Sequence, residues 1–174
     1  MDIQTLIWLF PIVFIFHDFE EIIMLERWVD KHSNTVAKVL PARMAQRVVK
    51  QFSMTTAQMS VAVLIVFLFV SSSTFMANQY LNGGTAASIH FFTAVILVFF
   101  IHVFTHIGQS ILFRSITPGV VTSVFLVLPY TLIMLNSLLE RRIIDCDTIV
   151  TCLPFVLLAI PIVLIAHFIG KRVI

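Results

Sequence analysis

Apolar residues fill five stretches of the chain, each close to the 20 or so residues that a helix needs to cross hydrocarbon. The first runs from Ile3 to Val29 and the second from Phe52 to Phe69, with a continuation towards Met76. The third spans Ser88 to Phe113, the fourth Pro118 to Leu139 and the fifth Ile149 to Ile169. This pattern predicts an all-α polytopic membrane protein. The expected architecture is a single domain over residues 1–174, a bundle of about five transmembrane helices.

The polar stretches between them differ in kind. Asp30 to Gln51 is basic, and Val36, Val39, Leu40, Met44, Val48 and Val49 alternate there with Lys38, Arg43, Arg47 and Lys50. That spacing predicts an interfacial amphipathic helix with its cations towards anionic lipid heads; a solvated helix that only carries topology charges is the plainer alternative. Ser71 to Ala87 has no charge and turns at Asn82-Gly83-Gly84. Arg114 to Gly119 is tight, and Pro118 suits the first turn of the fourth helix. The fourth connection, Glu140 to Thr148, is mixed in charge.

Composition agrees with the pattern. The 174 residues are 59% hydrophobic and 11% charged, against about 25% charged in soluble domains. The start Met1-Asp2-Ile3-Gln4 carries no positive charge and does not resemble a signal peptide, so the first span is expected to stay in the mature chain. Cys146 and Cys152 form no metal motif and no disulfide framework. The net charge of +2 says less than its placement. One face of the membrane receives Arg27, Lys31, Lys38, Arg43, Arg47, Lys50, Arg114, Lys171 and Arg172; the other receives Arg141 and Arg142. The excess of cations on the cytoplasmic side of membrane proteins then puts the N-terminus outside and the C-terminus in the cytoplasm. The expected location is a plasma membrane of bacterial type.

Against this apolar background, His17-Asp18-Phe19-Glu20-Glu21 stands out. An ionisable group in hydrocarbon costs several kcal/mol unless it is paired or bound, so such residues are functional candidates. His17, Glu20 and Glu21 share one side of a helix, with Asp18 about 100° away. The third span adds His102 and His106, whose i, i+4 spacing presents two imidazoles on one face, with Gln109 near the same stripe. Counted from the ends of their spans, His17 and His102 lie at similar depth.

Three or four of His17, Glu20, Glu21, His102 and His106 make an N/O site for a divalent metal, zinc in the first instance. Five such ligands also suit non-haem iron or a dinuclear centre. Glu20 is the expected general base, with His17, Glu21, His102 and His106 as metal ligands, although the roles of Glu20 and Glu21 stay exchangeable. Gln58, Gln109 and Arg114 are candidate substrate contacts. Asp18, Glu26, His90, His167 and Asn136 read more simply as structural residues.

The same residues carry a resemblance. His17-Asp18-Phe19-Glu20-Glu21 followed by Glu26-Arg27-Trp28 resembles the signature of the HXXEE-motif membrane proteins. So do His106-Ile107-Gly108-Gln109-Ser110, the run Arg114 to Thr122, and Leu128-Pro129-Tyr130. The resemblance covers the first four spans. It implies importance for these positions and names no substrate.

Three functions compete. The favoured one is a metal-dependent intramembrane hydrolase acting on a membrane lipid or lipid-linked substrate from the cytoplasmic side, with an iron oxidase or hydroxylase as a variant. The second is a proton-coupled transporter or sensor built on the His/Glu cluster, although five spans without an inverted repeat do not suggest alternating access. The third is a structural role. Membrane lipids are the expected partners, nucleic acid is not, and self-association into a homo-oligomer stays open.

Overall fold

The computed structural model describes residues 1–174 and is all helical. Helix α1 runs from Ile3 to Val39. Asp2 starts it, its carboxylate accepting from the Thr5 amide at 2.8 Å and the Thr5 hydroxyl at 2.6 Å. Pro41 stops it, because the residue before a proline is pushed out of helical geometry; Leu40 is extended at φ −103°, ψ 150°. The stretch expected as one interfacial helix is therefore divided. Asp30 to Val39 continues α1, and only α2, Ala42–Phe52, is the separate amphipathic element.

Helix α3, Thr56–Leu81, begins with a reciprocal cap between Thr55 and Gln58. Glu26 of α1 reinforces it, accepting from the Thr56 amide and hydroxyl at 2.8 Å each. A carboxylate suits this place because helix N-termini expose free N–H groups and positive potential. After the turn at Gly83, which has φ +67°, Ser88 caps α4, Ile89–Phe113.

Helix α5, Val120–Glu140, starts after Gly119 rather than at Pro118, which lies in the preceding turn. It carries a π-helical segment at Ser123–Val127. Pro129 follows within two residues, and the amide it lacks disturbs the regular i to i−4 ladder here. Helices α6, Cys146–Val156, and α7, Ala159–Val173, form one bent pair with an angle of 41°. Pro161 explains the break at Leu157 and Leu158, since its ring collides with the carbonyl four residues earlier.

Helices α3, α4 and α5 are long and apolar enough to cross a membrane, and the bent α6–α7 pair makes a fourth crossing if it acts as one span. The fifth expected span falls in α1. Its apolar run, Ile3 to Phe16, is about 21 Å long at 1.5 Å per residue, and the remainder holds the His/Glu motif. Length and apolarity thus support three or four spans where five are expected.

The main core lies where α1, α3, α4 and α5 meet, around Phe10, Ile7, Phe92, Ile96 and Met134, each fully buried. Gly170 lets α7 approach α3 closely, because any Cβ there would collide with the Gln58 carbonyl.

Candidate metal centre

Helices α1 and α4 bring His17, Glu21, His102 and His106 together, with one potential ligand atom from each lying within 4.8 Å of all the others. Glu21 is the hub. Its Oε1 lies 2.9 Å from His106 Nε2, 3.5 Å from His102 Nε2 and 3.8 Å from His17 Nε2. The Nε2 atoms of His102 and His106 are 2.7 Å apart. Four N/O ligands set tetrahedrally around zinc at 2.0–2.1 Å would be separated by about 3.3 Å. The observed separations bracket that value.

The site is closed on one side and open on the other. His17 and His106 are 1% and 4% exposed, whereas the His102 side chain is 41% exposed.

Hydrogen bonds around the cluster fix which imidazole nitrogens carry protons. With Glu20 ionised, its carboxylate can only accept, so the Thr122 hydroxyl donates to Glu20 Oε2 at 2.6 Å. That hydroxyl then accepts from His17 Nδ1–H at 2.9 Å. His17 Nε2 is left with a lone pair, and this buried atom has no hydrogen-bond partner. A similar device acts on His102. Thr105 donates to the His102 carbonyl at 2.6 Å, and its oxygen accepts from His102 Nδ1–H at 3.3 Å. These tautomers follow from the hydrogen-bond network. They turn two imidazole lone pairs and a carboxylate oxygen towards one another. His106 has a single proton to offer if neutral, and no oxygen holds its Nδ1. Acceptors facing acceptors in a buried site are stabilised by a cation among them. The residues present therefore fit a metal ion.

Glu20 lies apart from this set. Its carboxylate accepts from the amides of Val121 at 3.2 Å and Thr122 at 2.7 Å, besides the Thr122 hydroxyl. It thereby binds the first turn of α5 to α1. Residues 20 and 21 are 100° apart around the helix. Glu21, at i+4 from His17, faces α4, and Glu20 faces α5.

Gly119 completes the wall. Its φ of +80° is unfavourable for other residues, and a Cβ there would lie 2.7 Å from His106 Cε1 and 3.0 Å from Glu21 Cγ. Neither Gly119 nor Thr122 carries a signal of metal chemistry in the sequence, since neither ligates. Asp18 is buried, 7% exposed, and its Oδ2 has no hydrogen-bond partner.

A cavity of about 210 Å³ leads away from the open side of the cluster. Glu21, His102, His106 and Gln109 line its polar part; Leu25, Val29, Met59 and Phe113 line its apolar part. Gln109, a candidate substrate contact, lines this cavity. Gln58 does not line this cavity; its side-chain oxygen accepts from the Thr55 amide at 3.2 Å. Arg114 ends α4 in a left-handed conformation and is exposed, also away from the cavity wall. His167, which reads as structural, borders the same cavity as His102 and His106.

Fold and site together define a helical protein with three or four segments long and apolar enough to cross a membrane and a largely buried three-histidine, one-glutamate cluster. The chain belongs to the family described as "Protein of unknown function with HXXEE motif", whose model matches residues 8–134. The match takes in all four residues of the cluster, Glu20, Gly119 and Thr122. No curated protein and no solved structure matches the chain.

Proposed function

We propose that this protein is a metal-dependent enzyme of the membrane, in which His17, Glu21, His102 and His106 hold a divalent ion and the substrate is a membrane lipid or lipid-linked molecule. The observation that carries this reading is the convergence of the His17 and His102 lone pairs on Glu21, without enough protons to pair them. The bundle is proposed to cross the membrane five times, with α1 as the first span, the N-terminus outside and the basic end in the cytoplasm, from the nine-to-two distribution of Lys and Arg.

Hydrolysis of a lipid ester is the favoured reaction: water's OH goes to the acyl carbon and its hydrogen to the departing alcohol. A bound zinc ion supplies Lewis acidity and makes water acidic near neutral pH. The chain's part is to orient and to exclude solvent. Thr122 and Thr105 hold two imidazoles with Nε2 towards the centre. Glu20 holds Thr122, and this arrangement favours a positioning role for Glu20 over that of general base. Gln109 offers an amide to a polar group of the substrate. One observation favours a second reading. Catalytic zinc usually keeps three protein ligands, and four N/O ligands also suit iron in an oxidase or hydroxylase.

Elemental analysis of the purified protein tests the proposal. One zinc per chain is expected, falling to background in His102→Ala and in His106→Ala; iron with visible absorption selects the second reading. A protein supplied with both metals during refolding or purification that retains neither would overturn the metal centre.

A further inference from the structure

The cavity does not end at the metal cluster. It follows α1 from Glu21 to Val36, a distance of about 22 Å at 1.5 Å per residue. Its far part shares Val48, Gln51, Phe52, Leu164 and His167 with a second, wider cleft of about 570 Å³. Arg47, Lys50 and Lys171 line that cleft. The two adjoining spaces together present a His/Glu cluster at one end, an apolar body, and three cations at the other, the mouth.

Those cations have no acidic partners. Every carboxylate ion-pair contact in the molecule involves Glu21 and the three histidines of the cluster. Lys171 donates instead to the Lys50 backbone carbonyl at 2.5 Å, which holds its ammonium group at the rim. One further polar pair crosses the mouth: Gln51 Nε2 donates to His167 Nδ1 at 3.1 Å. With Nδ1 accepting, neutral His167 carries its proton on Nε2, a second donor beside the cations. Unpaired cations next to an apolar channel are complementary to a molecule with an anionic head and a hydrocarbon chain.

We propose that this space binds an anionic phospholipid, with its headgroup phosphate at Arg47, Lys50 and Lys171 and one hydrocarbon chain running inward towards Glu21. This rests on the reading of the cluster as an enzyme centre, to which it adds the substrate class. With the phosphate at the mouth and a chain at Glu21, the atoms at the cluster are chain carbons rather than the glycerol ester, so this placement sides with the oxidase or hydroxylase reading over ester hydrolysis. Between α2 and α7 the lipid has a lateral entry, crossed by the Gln51–His167 and Lys171–Lys50 hydrogen bonds.

Trp28, which lines the cavity, provides a test that needs no activity. The chain has two tryptophans, so Trp8→Phe leaves Trp28 as the only one. This variant is reconstituted in phosphatidylcholine vesicles containing a tenth of chain-brominated phosphatidylglycerol, or the same fraction of brominated phosphatidylcholine. Phosphatidylglycerol should quench Trp28 at least twofold more strongly. Combining Arg47→Gln, Lys50→Gln and Lys171→Gln should remove that preference, while Arg141→Gln and Lys171→Arg should keep it. Equal quenching by the two lipids in the unaltered background, which would indicate a neutral-lipid occupant, overturns the proposal. So does a preference that survives loss of all three cations. The measurement is repeated with zinc and with a chelator. Zinc bound without lipid preference refutes the lipid proposal alone. Lipid preference in a protein that takes up no metal supports it and refutes the enzyme centre.

Discussion

Two buried regions of the same helices make opposite use of polar atoms. Between Leu6 and Phe14, α1 packs against α4 and α5 through aromatic rings. Phe10 meets Phe92 and Phe99 edge-on, with centroids 5.7 and 5.5 Å away, and stacks on Tyr130 at 6.0 Å. The one hydroxyl in that group, on Tyr130, donates to the Leu6 carbonyl at 3.0 Å. A turn or so further along, α1 meets α4 and the start of α5 again, at His17, Glu21, His102, His106 and Thr122. Here the outer imidazole nitrogens of His17 and His102 are paired, the inner nitrogen of His17 has no partner, and that of His102 meets only His106 Nε2 and Glu21 Oε1, with a single proton to share if His106 is neutral. If polar groups served only to lock helices together, both regions would be satisfied internally, as the Tyr130 region is. The contrast supports a ligand at the second region, and substitutions at each can sharpen or break it.

The largest effect in this comparison is expected from Gly119→Ala. The new methyl group would press on His106 and Glu21 together, in a backbone conformation that alanine resists. Strain of this kind costs about 1–3 kcal/mol, and the shift of two ligands should reduce retained zinc to below a tenth per chain. Thermal melting in detergent and metal analysis measure the two parts separately. Full zinc retention would show that Gly119 does not shape the centre.

Much of the centre is legible in the sequence because its histidines and Glu21 sit on two helices at i, i+4 spacing. His17 with Glu21, and His102 with His106, need only helical geometry and the cost of ionisable groups in hydrocarbon. What spacing does not reveal is which partner helix each side of α1 meets. Glu20 and Glu21 are neighbours in the sequence, and only packing sends one to α5 and the other to α4. Thr122 and Gly119 fall within the run that carries the resemblance, but spacing does not reveal what they do, since their roles exist only across a long-range contact. His167 reads as structural because nothing near it in the chain is chemical; the bend between α6 and α7 and the packing of α7 on α3 accompany its place beside the cavity. In the fold, the apolar runs give the positions of α3, α4 and α5 well. The extent of α1 is obscured by its charged second half, where Pro41 and not the polarity change sets the end.

An intermediate effect is expected from Thr122→Val. Valine keeps the shape and removes the hydroxyl that links Glu20 to His17 Nδ1. Loss of such an outer partner lowers metal affinity by about 10–100-fold. Competition with a zinc chelator of known affinity measures this, and Thr122→Ser should restore most of it. Unchanged affinity in Thr122→Val would remove the positioning role given to Thr122 and Glu20.

The smallest effect is expected from Tyr130→Phe, and it tests the other half of the contrast. The variant keeps the ring that stacks on Phe10 and loses only the hydroxyl. The Leu6 carbonyl lies in the first turn of α1 and would lose its side-chain donor, while its place in the helix persists. A single neutral hydrogen bond contributes about 1 kcal/mol net, so melting should fall by only a few degrees. Zinc content should stay at the level of the unaltered protein, because the nearest ligand, His17, lies about 16 Å along α1 from Leu6 at 1.5 Å per residue. Loss of zinc in Tyr130→Phe would mean that the two regions act as one mechanical unit, with the aromatic packing holding the ligand geometry. A fall in stability with full zinc retention would separate them, leaving the first region to hold the helices together and the second to bind.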